Sequence, residues 1–130
     1  MNPIAKKLAA IIDSDRIVTE PEALDELSWD ALSEGRFHPH HQPELAAPLC
    51  AVAPVSPDEV QNLVRFANQE KLSIVPFGGG SGLMGGALSI RSGLVIDLRR
   101  MNRIVDIDAE SRSARVQAGA VLETVDQALN

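Results

Sequence analysis

The fold of this 130-residue chain is decided by the stretch Pro76-Phe77-Gly78-Gly79-Gly80-Ser81-Gly82-Leu83-Met84-Gly85-Gly86-Ala87. Half of its residues are glycine, which permits backbone conformations with positive φ and lets the main chain approach a ligand closely. Several successive N–H groups can then point into one small cavity and bind an anion. The stretch therefore indicates a phosphate-binding loop, in which Ser81 adds a hydroxyl donor.

Apolar segments flank this glycine loop on both sides. Leu72–Pro76 predicts a short buried strand before it, and Leu94–Leu98 predicts a second strand after it. A flexible surface turn is the alternative interpretation, because loops use glycine freely. The two anchoring strands and the apolar Leu83 and Met84 favour a structured loop.

The spacing Gly80-x-Gly82-x-x-Gly85 matches the dinucleotide motif G-x-G-x-x-G, which requires a helix directly after the turn. The residues from Gly86 to Gly93 alternate between apolar and polar and have glycine at both ends, so a helix is disfavoured there. No Lys-Ser or Lys-Thr pair follows the last glycine, so the P-loop pattern fails as well. The sequence predicts a strand–loop–strand phosphate site preceded by a helix.

That preceding helix has the strongest local signal in the chain. Ser56 is a suitable N-cap, Pro57 suits the first helical position, and Glu59 is expected to reach back to the Ser56 N–H. Apolar residues at helical spacing extend the helix to about Glu70.

The remaining pattern predicts an α+β fold, a mixed sheet with helices packed on it. We expect a helical N-terminal segment with an irregular connection over residues 1–48, and an incomplete binding subdomain over residues 49–130. The further elements predicted are helices over Pro3–Asp13, from Pro21 and from Val121, a strand over Leu49–Ala53, and a hairpin of Ile104–Asp108 with Ala114–Ala118.

Composition excludes several classes of function. The net charge of −6 and the low aromatic content of 3% argue against a nucleic-acid surface, which needs basic and stacking side chains. No apolar run approaches the roughly 18 residues of a membrane span, and Leu8–Ile12 is too short for a signal peptide. With Cys50 as its single cysteine, the chain forms no internal disulfide. We expect a cytoplasmic protein.

Other polar clusters have simpler interpretations than a functional site. His38, His40 and His41 are interpreted as a solvated loop, because no familiar metal pattern completes them. Cys50 is expected to be a buried packing residue. We interpret Trp29 and Asp30 as anchors of the N-terminal segment. The arginines expected to be solvated are Arg99, Arg100 and Arg103.

Five motifs in this order resemble the FAD-binding domain of the vanillyl-alcohol-oxidase, or p-cresol methylhydroxylase (PCMH), type. They are Pro54-x-Ser56-x-x-Glu59-Val60, Ile74-Val75-Pro76-x-Gly78-Gly79-Gly80-Ser81, Gly85-Gly86-Ala87, Val95-Ile96-Asp97-Leu98-x-x-Met101-Asn102 and Val116-x-x-Gly119. Within that type, the chain is most similar to FAD-linked 2-hydroxy-acid dehydrogenases, the group that contains D-lactate dehydrogenase and the flavoprotein component of glycolate oxidase.

The resemblance implies which residues contact the FAD. They are Pro76, Phe77, Gly78, Gly79, Gly80, Ser81, Gly82, Leu83, Gly86, Ala87 and Gly119. Relatives with covalent flavin often carry His at the position of Ser81, so non-covalent FAD is expected. The chain departs from its relatives at Phe77, where they often carry Arg, and at Ala118, where they often carry Pro.

The family's FAD domain continues past this point, and a separate domain supplies the substrate pocket, so no catalytic residue is expected in this chain. We expect a parent enzyme that oxidises a small 2-hydroxy acid resembling D-lactate or glycolate, and a 130-residue chain that alone is inactive and binds FAD weakly or not at all. A nicotinamide-binding Rossmann domain, with a helix from Gly85, and a non-catalytic module remain alternatives. Assembly as a homo-oligomer and assembly with other polypeptides both remain open.

Overall fold

A computed structural model describes residues 2–31 and 45–129 of the chain. The helices are α1 (Pro3–Leu8), α2 (Pro21–Glu26), α3 (Pro57–Glu70) and α4 (Leu122–Leu129). The strands are β1 (Ile17–Val18), β2 (Cys50–Val52), β3 (Ser73–Phe77), β4 (Gly93–Asp97), β5 (Ile104–Asp108) and β6 (Ser113–Val116).

The first four strands form one mixed sheet in the order β1-β2-β4-β3. Strand β1 is antiparallel to β2, whereas β2, β4 and β3 are parallel to one another. Strands β5 and β6 form a separate antiparallel hairpin. The predicted α+β class with a mixed sheet is therefore confirmed.

The sheet buries apolar side chains on both faces, because successive residues of a strand point in opposite directions. One face packs against α1 and α3, in a cluster of Leu8, Ile12, Cys50, Val52, Leu63, Phe66, Ala67, Leu94 and Ile96. The other face packs against α2 and the end of the glycine loop, in a cluster of Leu24, Leu27, Ala51, Phe77, Ala87 and Val95. The second cluster therefore supports the loop from below.

Helix α3 has the predicted bounds, but one detail of its predicted start is wrong. The Ser56 hydroxyl accepts from the Glu59 N–H at 3.2 Å, as predicted for an N-cap. The Glu59 carboxylate, however, accepts from the Val55 N–H at 2.8 Å and not from the Ser56 N–H. Its oxygens also bind the Arg16 guanidinium at 2.7 and 2.8 Å, so a long-range ion pair sets its orientation.

The other differences lie at element ends. Helix α1 ends at Leu8, short of the predicted Asp13. The N–H groups of Ile11 and Ile12 still donate to the Leu8 carbonyl, and Ile12 lies in the core. The strands flanking the glycine loop are shifted by one residue from their predicted bounds. The prediction that the first of them is buried is wrong, because β3 is an edge strand and only its last residue, Phe77, is buried. The predicted irregular connection lies mostly outside the described residues, and residues 45–48 within it have no regular secondary structure.

Candidate cofactor-binding site

The glycine loop begins at the carboxyl end of β3 and returns to the amino end of the neighbouring strand β4. The two strands are parallel, with Phe77 opposite Asp97. Parallel neighbours need a crossover connection, which is usually a helix. Residues 78–92 make this crossover without a helix, and the Leu88 N–H closes a turn on the Gly85 carbonyl at 3.2 Å. This arrangement is the predicted strand–loop–strand and lacks the helix from Gly85 that a Rossmann turn requires.

The loop encloses an open cavity of about 320 Å³. Its lining residues are Asp30, Gly78, Gly79, Gly80, Ser81, Gly82, Leu83, Met84, Gly86 and Ala87. Of the site residues predicted from the sequence, Pro76, Phe77 and Gly119 lie outside this lining. The structure therefore gathers most of the predicted residues around one cavity and places three of them nearby.

The inner side of the loop rests on the protein. Gly80 has φ +64°, and a Cβ added to it would lie 3.0 Å from Cζ of the buried Phe77 ring and 3.7 Å from the Trp29 carbonyl oxygen. A Cβ added to Gly82 would lie 3.3 Å from Oδ2 of Asp30. At these two positions a larger residue would disturb the packing beneath the loop.

The outer side of the loop faces open space. A Cβ added to Gly86 would meet nothing within 4 Å. A Cβ added to Gly78 would have its nearest neighbour 4.0 Å away, and one added to Gly79 would have it 3.8 Å away, so neither position is crowded. Ser81 is exposed. A ligand can therefore approach the main chain closely, and side chains at these positions would occupy the space that it needs.

The three predicted residues outside the lining have structural positions at the edge of the site. Pro76 lies in the edge strand β3, where a missing N–H is tolerated. Phe77 is buried under the loop. Gly119 donates its N–H to the Met101 carbonyl at 2.8 Å, and a Cβ added to it would overlap the Leu98 carbonyl.

A charged pair lies beside Phe77. The Arg99 guanidinium is 5.3 Å from the centroid of the Phe77 ring, and it donates to the Asp97 carboxylate from Nε at 2.9 Å and from Nη2 at 2.8 Å. These hydrogen bonds raise the pKa of Arg99. Arg99 is 54% exposed, as the sequence predicts, and these contacts hold it at the carboxyl end of the parallel strands.

Two lining residues, Met84 and Asp30, are not among the site residues that the sequence predicts. Met84 lies at the tip of the loop and is 92% exposed. Asp30 has the predicted role of an anchor in that it contacts the loop. Asp30 lines the cavity because the fold brings it next to Gly82, which is far away in the sequence. No local sequence pattern predicts this proximity.

A metal site and a membrane span receive no support from the described residues. Residues 2–31 and 45–129 contain no group of three His, Cys, Asp or Glu side chains arranged to hold a metal ion. The predicted solvated loop with His38, His40 and His41 lies outside these ranges. Within the same ranges, no helix is long and apolar enough to cross a membrane.

Sequence comparison relates the chain to flavoproteins. A family profile described as an FAD binding domain matches residues 48–130. D-2-hydroxyglutarate dehydrogenase from Xanthomonas citri pv. viticola is 36% identical over 127 residues, which cover 98% of this chain and 25% of the relative. D-lactate dehydrogenase from Anaerostipes hadrus is 37% identical over 82 residues, which cover 63% of this chain and 17% of the relative. The chain thus spans a quarter or less of the length of these curated relatives.

Solved structures agree with this relation. Alkyldihydroxyacetonephosphate synthase superimposes with a TM-score of 0.79 at 26% identity, over 97% of this chain and 24% of the other. Substrate-bound p-cresol methylhydroxylase superimposes with a TM-score of 0.78 at 24% identity, over 98% of this chain and 24% of the other, and this likeness shows the fold alone.

Proposed function

Because the chain belongs to the family of FAD-binding domains of the PCMH type, its cofactor is FAD, and we propose that residues 76–87 form the cradle for the FAD pyrophosphate. The observation that carries the proposal is the two-sided loop, supported from below at Gly80 and Gly82 and open in front of Gly86. A pyrophosphate needs several N–H donors in a small space, and the main chain supplies them without a basic side chain. This suits an acidic chain with a net charge of −6.

The size of the cavity supports a partial site. Its volume of about 320 Å³ is at the lower end of the roughly 300–1,000 Å³ of small-molecule pockets and suits one portion of FAD. Pro76, Phe77 and Gly119 would border that portion without enclosing it. We therefore propose that residues 49–130 supply an incomplete FAD-binding subdomain, that α1 and β1 of the N-terminal segment buttress it, and that the chain alone binds FAD weakly.

Non-covalent attachment is part of the same proposal. The described residues that line the cavity include no His or Cys, and Ser81 offers only a hydroxyl group. If flavin is bound non-covalently, denaturation in urea followed by ultrafiltration releases all yellow colour into the filtrate. Colour retained with the denatured chain would contradict this part of the proposal.

For the parent protein we propose FAD-dependent oxidation of a small 2-hydroxy acid resembling D-lactate or glycolate. Relatives named for D-2-hydroxyglutarate and D-lactate, both 2-hydroxy acids, support this substrate class. Bound FAD would accept the hydride from the substrate α-carbon, and this chain would hold and orient the cofactor. We assign no catalytic residue to the chain.

Trp29, the only tryptophan, gives a direct test because its carbonyl borders the loop. Titration with FAD is expected to quench Trp29 fluorescence by energy transfer to the flavin, and ADP, which carries the same pyrophosphate, is expected to reverse the quenching. Riboflavin is the matched control, since it has the flavin without phosphate. Equal quenching by riboflavin and FAD would contradict the pyrophosphate assignment, and stabilisation of the chain by NAD alone would favour the nicotinamide alternative.

A further inference from the structure

We propose that Asp30 is a positioning residue for the cofactor loop. Its carboxylate supports the back of the loop at Gly82 and thereby fixes the direction in which the Ser81–Gly82 peptide faces the cavity. The effect on cofactor affinity rests on the proposed function of the loop, whereas the effect on the loop itself does not.

The Asp30 side chain lies next to the position that a Cβ of residue 82 would occupy. A Cβ added to Gly82 would lie 3.3 Å from Oδ2, 3.8 Å from Cβ and 3.9 Å from Cγ of Asp30. The Oδ2 atom is buried, and Asp30 also lines the cavity. The same side chain therefore touches the rear of the loop and the space in which a ligand would lie.

The segment that carries Asp30 is firmly attached to the core. It follows α2, whose Leu24 packs in the same cluster as Phe77. Trp29 donates from Nε1 to the Asp25 carboxylate at 3.3 Å, and the Trp29 carbonyl lies beside Gly80. The support for the loop is thus anchored to the cluster on which the loop itself rests, which is the arrangement expected of a pre-organised binding site.

Shape and charge predict opposite effects of Asp30 on an anionic ligand. A carboxylate near a pyrophosphate repels it, so charge alone would weaken binding. Support for the loop needs only the planar shape, which Asn shares. We therefore expect Asp30→Asn to bind FAD at least as tightly as the unmodified chain, and Asp30→Ala to bind it roughly tenfold more weakly because the loop loses its pre-organisation.

A reciprocal substitution makes the test specific. Gly82 has no positive φ, so Gly82→Ala is allowed by the backbone, but its methyl group presses on the Asp30 carboxylate. Removal of that carboxylate makes room for the methyl group. We expect each single Ala variant to weaken FAD binding by roughly tenfold, and the double variant Asp30→Ala/Gly82→Ala to bind no more weakly than Asp30→Ala alone. Glu26→Ala, an exposed acid at the end of α2, is the charge-matched control.

Two measurements on the 130-residue chain decide the proposal. Amide NMR relaxation of residues 79–83 without ligand is expected to show larger amplitudes of motion in Asp30→Ala, with normal values in Asp30→Asn and Glu26→Ala. FAD dissociation constants are then measured by amide shifts. Unchanged loop motion in Asp30→Ala, or additive losses of affinity in the double variant, would overturn the role of Asp30. Increased loop motion without any FAD response in the unmodified chain would support that role while refuting the proposed function.

Discussion

The ring of Phe77 lies directly beneath Gly80, so close that a Cβ at position 80 would stand 3.0 Å from Cζ of the ring. Phe77 is the last residue of β3 and is buried in the second core cluster. The loop therefore does not project freely from the sheet. Its conformation, with φ +64° at Gly80, is built on a core residue.

Gly80→Ala is expected to lower the free energy of unfolding by about 1–2 kcal/mol, because a Cβ is strained at positive φ and also presses on Phe77. Urea denaturation measures this change. Gly86→Ala is the matched control from the same loop, since its Cβ would meet nothing within 4 Å, and it should change stability by less than about 0.5 kcal/mol. Equal effects of the two variants would contradict both the backbone strain and the close packing at Gly80.

The ion pair between Arg16 and Glu59 predicts a dependence of stability on pH. The Arg16 hydrogen bonds hold the pKa of Glu59 below its ordinary value, and the Val55 N–H contributes in the same direction. Because the folded-state pKa is depressed, the stabilisation is complete above the unfolded-state value of about 4.3 and is lost as pH falls through the folded-state pKa. In Glu59→Gln, the free energy of unfolding should therefore fall less steeply as the pH drops below about 4.3.

At neutral pH, Glu59→Gln should also lower the free energy of unfolding by about 2–3 kcal/mol, because it leaves the guanidinium of Arg16, only 8% exposed, without its main partner. Glu70→Gln is the control, since its partner Lys7 is 55% exposed and such surface pairs contribute at most about 1 kcal/mol. Urea titrations of both variants from pH 3 to 7 give the comparison. If the free energy of unfolding of Glu59→Gln fell with decreasing pH as steeply as that of the unmodified chain, the prediction would be contradicted.

The thiol of Cys50 is predicted to be unreactive in the folded chain. It lies in β2 with no exposed surface, and burial raises the pKa of its thiol to about 11. Since the thiolate is the reactive species, labelling by a disulfide reagent at pH 8 should require unfolding. The labelling rate should rise steeply through the urea transition. Rapid labelling of the native chain would contradict the burial of β2.

Gly119→Ala is predicted to displace the turn between β6 and α4. Its Cβ would overlap the Leu98 carbonyl, so the backbone must move and the hydrogen bond from Gly119 to Met101 is strained. We expect the free energy of unfolding to fall by about 1–3 kcal/mol. The amide resonance of Gly78 should also shift, because the Ala118 carbonyl is the nearest neighbour of a Cβ at Gly78. Ala118→Ser, at an exposed position, is the control and should leave both quantities nearly unchanged.

Features with local signals could be predicted from the sequence. The cap and apolar spacing defined α3, and the flanking apolar strands identified the glycine loop as structured. Features that depend on distant partners could not be predicted. The two-residue strand β1 exists only by pairing with β2, Glu59 turns toward Arg16, and Asp30 meets Gly82 across the fold. Each of these contacts joins residues that are distant in the sequence, so no local pattern predicts it.

An amide NMR titration of the ¹⁵N-labelled chain tests the central claim, that the glycine loop binds the FAD pyrophosphate, most directly. Millimolar FAD and ADP are both expected to shift the amide resonances of Gly78–Gly82 and Gly86 along common directions, while riboflavin leaves them in place. Core amides such as those of Leu63 and Val95, remote from the cavity lining, should not move. Loop resonances that stay fixed at millimolar FAD, or that respond equally to riboflavin, would contradict the claim.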